Sequence, residues 1–103
     1  MIKATYTADG NKHTLQICGH ANYAEHGKDI VCAGVSAIIQ ALMGWIDNNP
    51  HYADCVTVDD RTGGIIIACE GGDDVSAVFQ MTTIGLEQIS RAYPNHSLYI
   101  SNL

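Results

Sequence analysis

The chain has 103 residues, about the size of one modest domain, so we expect a single domain over residues 1–103. Hydrophobic residues make up 47% of it and charged residues 16%, a composition that excludes a wholly disordered protein. The formal net charge of −6 has the wrong sign for direct binding to nucleic acid or an anionic membrane. A basic protein or peptide is the better partner.

The first ten residues, MIKATYTADG, contain no apolar stretch typical of a secretory signal. We therefore expect a cytoplasmic protein. Because the cytoplasm is reducing, its four cysteines are expected to be thiols rather than disulfides.

Two hairpins are indicated by apolar and polar residues that alternate with a period of two. In the first, residues 2–7 and 14–17 alternate on either side of a turn at Asp9-Gly10. In the second, residues 56–59 alternate and an apolar run at 65–69 follows a glycine-containing turn.

Each hairpin precedes a predicted helix. Residues 30–46 are almost uninterruptedly apolar, but they fall just short of the roughly 18 continuous apolar residues of a membrane span. A buried helix fits better, and because it is apolar nearly all round, we expect part of it to meet a second copy in a homodimer. The second helix is predicted from about Asp74 to Tyr93, where Pro94 ends it.

A final short strand is predicted at residues 96–100, which completes the order ββαββαβ. This order predicts a two-layer α+β fold, with a mainly antiparallel sheet and both helices on one face.

The segment between the first hairpin and its helix, residues 19–28 (GHANYAEHGK), follows neither period. Long polar loops inside a compact domain are often functional. Gly19 and Gly27 flank it as potential hinges, and Tyr23 is its single large apolar anchor among small residues such as Ala21. We expect a lid that closes over a bound peptide.

The residues at either side of this loop suggest nucleophilic chemistry. Asp29 is a good helix N-cap, which places Cys32 in the first turn, where unpaired N–H groups and the helix dipole favour a thiolate. A nearby histidine, His20, would take the thiol proton, and the same N–H groups would stabilise an oxyanion. The negative charge of Asp29 opposes thiolate formation.

A zinc site is the competing interpretation, because Cys18, His20, His26 and Cys32 fall within fifteen residues. Their spacing matches none of the common zinc arrangements, so we expect no metal and no other cofactor.

The remaining cysteines and histidines are assigned no chemistry. Cys55 and Cys69, on predicted strands, are expected to be inert core residues. Three histidines are expected at the surface without partners: His13, His51 and His96.

Three elements together resemble the ribosomal-processing cysteine protease family, Prp: Gly19-His20-Ala21, residues 27–38 (GKDIVCAGVSAI), and Tyr93-Pro94. The resemblance implies a small bacterial endopeptidase that removes a short N-terminal extension from a large-subunit ribosomal protein, cutting between aromatic and small residues. It implies Cys32 as nucleophile and His20 as general base. The substrate-binding and lid residues expected from the loop and the motif are Gly19, Ala21, Tyr23, Gly27, Asp29 and Ser36.

A second class of function stays open at this point. The same residues are compatible with a zinc-stabilised binding module, or with a catalytically silent ribosome-assembly partner that keeps the cysteine and histidine for packing.

Overall fold

The computed structural model describes residues 1–19, 24, 29–49, 55–60 and 64–101. Within these ranges the elements, in chain order, are β1 (Ile2–Asp9), β2 (Lys12–Cys18), α1 (Ile30–Asp47), β3 (Val56–Asp60), β4 (Gly64–Glu70), α2 (Asp73–Ala92) and β5 (Ser97–Ser101). The predicted order ββαββαβ is confirmed, and each end of the two helices lies within one residue of its prediction.

The strands form one five-stranded sheet with the order β3-β4-β2-β1-β5. Its two hairpin pairs and the β2–β4 pair are antiparallel, whereas β5 runs parallel to β1. The parallel pair arises because α2 crosses over the sheet before the chain returns as β5. The predicted mainly antiparallel α+β architecture is therefore confirmed.

One face of the sheet forms the core together with both helices. Alternate residues of β1 and β2 point into it, and Phe79 and Leu86 of α2 are fully buried against them. The buried sheet residues on this face include Ile2, Ala4, Tyr6, Leu15, Ile17 and Ile67. Both helices thus cover one face, as predicted.

α1 uses only one side of its apolar surface in this core. Val31, Val35, Ile39 and Leu42 are buried, at the spacing of a single helical face. By length and composition α1 would be able to cross a membrane. Its buried face instead packs in the same cluster as the sheet, which supports the core-helix interpretation.

The prediction for His13 is wrong, because the residue is only 7% exposed. The Tyr6 hydroxyl lies 2.6 Å from His13 Nδ1, and the Phe79 ring stacks on the imidazole at 5.3 Å. The reason is periodicity: His13 continues the inward-facing series of Leu15 and Ile17, and the Tyr6 hydroxyl satisfies its polar atom.

His96, predicted at the surface, is also partly buried. Its backbone carbonyl accepts a hydrogen bond from the Ile2 N–H at 2.9 Å. His51 lies outside the described residues.

Two of the four expected thiols are paired. Cys55, directly before β3, and Cys69, in β4, form a disulfide, while Cys18 and Cys32 are free. The β3–β4 register explains the pairing, because Val56 lies opposite Ala68 and the adjoining residue of each, Cys55 and Cys69, is a cysteine.

Candidate active site

Cys32 lies in the first turn of α1, as the sequence predicts. Asp29 is the N-cap with extended backbone angles, and its Oδ1 accepts hydrogen bonds from the N–H groups of Val31 and Cys32, each at 3.0 Å. The cap therefore fixes the backbone that carries the thiol. The Cys32 side chain is partly buried and packs against the core.

The expectation of free N–H groups in the first turn is wrong for Val31, Cys32 and Ala33. Those of Val31 and Cys32 donate to the Asp29 carboxylate, and that of Ala33 donates to the Asp29 carbonyl at 3.0 Å. These three donors are therefore already hydrogen-bonded to Asp29 in the structure.

The second oxygen of the Asp29 carboxylate faces the preceding loop. Its Oδ2 lies 3.5 Å from the Ala24 N–H, a long contact beside the two short bonds of Oδ1. The Asp29 side chain thus contacts Ala24 as well as the start of α1.

Gly19 follows β2 in a conformation that needs glycine. Its φ is +90°, and a Cβ built there would overlap the carbonyl oxygen of Met1, just before the adjacent strand. The close approach of these two backbones leaves no room for a side chain at this position.

A groove of about 390 Å³ opens beside Cys32. One wall is a single side of α1, and the floor comes from the ends of β1, β2 and β4. Its lining residues are Ile2, Ile17, Gly19, Cys32, Val35, Ser36, Ile39, Gln40, Met43 and Ile65. The groove is mainly apolar, and Cys32 forms part of its lining.

The structure brings together three of the residues predicted for the site, Gly19, Cys32 and Ser36, along this groove. Asp29 acts through the N-cap. The other predicted residues, His20, Ala21, Tyr23 and Gly27, lie outside the described residues, so the Cys32–His20 pairing stays a prediction.

No three His, Cys, Asp or Glu side chains in the described part of the chain cluster in a way that would hold a metal ion. His20 and His26, which the zinc interpretation requires, lie outside that part.

The floor of the groove and its end distant from Cys32 were not predicted from the sequence. Ile2, Ile17 and Ile65 were predicted only as strand residues of the two hairpins, and Gln40 and Met43 only as part of an apolar helix. The available signal was the spacing of residues 32, 36, 40 and 43, which share one side of α1.

Residues 1–97 match the family model described as cysteine protease Prp. The chain belongs to this family. A ribosomal processing cysteine protease Prp from Mycoplasma genitalium is 34% identical over 79 residues, which cover 76% of this chain and 77% of that protein. The Prp of Bacillus subtilis is 51% identical over 41 residues, 38% of this chain and 37% of that one.

A crystal structure of the Prp protease from S. aureus, in complex with a covalently linked product peptide, has the same fold with a TM-score of 0.83. It is 25% identical, and the match covers 99% of this chain and 100% of that one. Membership of the Prp family makes the chain a cysteine protease, in agreement with the motifs around Cys32.

Proposed function

We propose that this cysteine protease removes a short N-terminal extension from the precursor of a large-subunit ribosomal protein. The observation that carries the proposal is the position of Cys32, which the Asp29 cap holds in the lining of an apolar groove. The name shared by the relatives, ribosomal processing cysteine protease, supports this class of substrate.

In the proposed reaction Cys32 and His20 act as a dyad. His20 takes the thiol proton as Cys32 Sγ attacks the carbonyl carbon of the scissile bond. The tetrahedral intermediate collapses, and the leaving amine departs with the proton from His20. Water, deprotonated by His20, then hydrolyses the thioester and releases the acyl product, which regenerates the thiol.

Substrate binding is assigned to the groove and to the loop before α1. Ser36 lies one helical turn beyond Cys32 and faces the groove. The loop residues Ala21 and Tyr23 cover the peptide when the loop closes about Gly27. Replacing Gly27 with valine should then slow turnover more than it lowers stability, and unchanged kinetics would remove the lid from the proposal.

A homodimer through the outer surface of the two helices forms part of the proposal. Ile30 on α1 and Met81 and Ile84 on α2 are 55%, 71% and 50% exposed. An apolar cleft of about 370 Å³, lined in part by Met81, runs between α1 and α2. An exposed surface this apolar favours a protein partner. Met81→Asp should therefore convert a dimer to a monomer in sedimentation analysis, whereas a monomeric unmodified chain would contradict the dimer.

A cytoplasmic location follows from the proposed substrate, because ribosomal proteins are made there. The net charge of −6 favours a basic precursor as partner and opposes direct binding to nucleic acid or an anionic membrane.

The proposal is tested by incubating the chain with a precursor peptide that has an aromatic-then-small junction and identifying the products by mass spectrometry. Cys32→Ala should abolish cleavage. Cys18→Ala is the matched control, because Cys18 is the other free cysteine, is exposed, and lies outside the groove lining. Its activity should equal that of the unmodified chain.

His20→Ala should be nearly as damaging, with partial recovery at high pH, where a thiolate forms without a base. Cleavage by Cys32→Ala would overturn the proposed mechanism. Tight binding of the precursor without cleavage by the unmodified chain would favour a silent assembly partner.

A further inference from the structure

The groove extends well beyond the reacting thiol. Along α1 it is lined by Cys32, Ser36, Gln40 and Met43, all on one side of the helix. At about 1.5 Å per helical residue, Met43 lies about 16 Å along the axis from Cys32. One end of the groove therefore holds the nucleophile and the other a flexible apolar side chain.

The floor between these ends is apolar throughout. Ile17 and Ile65 are paired across β2 and β4, and Ile2 comes from the neighbouring strand β1. Ile2 and Ile17 are buried, so they form a fixed surface, whereas Met43 is only partly buried. A methionine in that position adapts its shape to the side chain that it meets.

An extended peptide advances about 3.3 Å per residue, so about five residues span the groove. We propose that Met43 is a specificity-determining residue, which selects a large apolar side chain four to five residues from the scissile bond. The inference rests on the proposed peptidase function. It adds a recognition point that is separate from the residues next to the cut.

The contact with Met43 is expected to act on binding. It lies far from the reacting atoms, so it should change KM much more than kcat. Partial burial of one leucine-sized side chain is expected to be worth about a tenfold change in kcat/KM.

The test uses peptides that share one cleavable junction and carry either leucine or alanine at single positions two to six residues from it, on both sides. With the unmodified chain, kcat/KM should favour leucine about tenfold at position four or five on one side of the bond. Met43→Leu should keep this preference, since it keeps an apolar side chain of similar size.

Two further variants separate specificity from folding. Met43→Ala should reduce the leucine preference, because the bound side chain loses its apolar contact, and Met43→Phe should reverse it in favour of alanine, because the phenyl ring fills the end of the groove. Gln80→Ala, an exposed substitution on α2 outside the groove lining, should show the unmodified profile.

An unchanged leucine preference in both Met43→Ala and Met43→Phe would overturn the inference, as would the absence of a leucine preference at positions four and five in the unmodified chain. Either result leaves the peptidase function intact. Cleavage of none of these peptides by the unmodified chain would instead remove the proposed function, and this inference with it.

Discussion

The two ends of β2 differ in their surroundings, because one end is closed by packed rings and the other borders the groove. Near its start, His13 lies in a closed aromatic stack with Tyr6 and Phe79, at ring distances of 6.0 and 5.3 Å. At its other end, Gly19 opens onto the groove beside Cys32. The stack fills its space and satisfies its polar atoms, whereas the groove leaves apolar surface uncovered.

The difference shows which polar groups of this fold are structural. Burial lowers the pKa of His13, so its ring is neutral at pH 7. Burial, with a smaller contribution from Tyr99, raises the pKa of Tyr6 and keeps its hydroxyl protonated. A neutral histidine bonded to a protonated tyrosine inside the core stabilises the fold and has no access to a substrate.

The largest loss of stability is expected from Gly19→Ala, at the groove end of β2. The φ of +90° strains an alanine there, and its Cβ would also overlap the Met1 carbonyl. Together these effects should lower the free energy of unfolding by about 3 kcal/mol, measured by urea denaturation.

Gly10→Ala is the matched control for this change. Gly10 also has a positive φ, +58°, but nothing lies within 4 Å of the position that an alanine Cβ would take there. Backbone strain alone should lower the free energy of unfolding by about 1 kcal/mol in Gly10→Ala. Equal losses in the two variants would show that the contact with Met1 does not shape the groove.

A smaller effect is expected at the cap that holds the nucleophile. Asp29→Ala removes the acceptor for the N–H groups of Val31 and Cys32, which should cost about 1 kcal/mol of stability and also slow cleavage. Asp29→Asn keeps an acceptor oxygen and should retain most of the stability and most of the cleavage rate. If the alanine and asparagine variants have equal stability, the two hydrogen bonds do not hold this helix end.

The smallest expected effect is the change of folding stability with pH that is caused by His13 in the aromatic stack. The pKa of His13 is lowered in the folded state from its ordinary value of 6.5, so the unfolded chain binds this proton first as the pH falls. His13 therefore contributes stability that is present above pH 6.5 and is lost as the pH falls below it. Thermal unfolding from pH 7 to 5 should show a shallower decline for His13→Phe than for the unmodified chain. Parallel curves would mean that another group causes the decline.

Local patterns were enough to predict most of the fold. The turn at Asp9-Gly10, the alternation of residues 14–17 and the cap at Asp29 each act over a few residues, so the hairpins and the helix limits agree with the structure. The first-turn position of Cys32 follows from the same cap.

Features that depend on distant residues were missed. The parallel pairing of β5 with β1, the floor of the groove and the opposition of Cys55 and Cys69 all require the sheet order and register. His13 is a different case, since its inward position follows the local alternation. It was missed because its polar ring was not expected to find the Tyr6 hydroxyl as a partner.

The central claim is that Cys32, which lines the groove, is the nucleophile. It is tested most directly with a peptide chloromethyl ketone that ends at the cleaved residue, followed by digestion and mass spectrometry of the labelled chain. The claim predicts alkylation of Cys32, with Cys18 unmodified despite its greater exposure. Loss of activity with Cys32 unlabelled, or labelling of Cys18 instead, would contradict it.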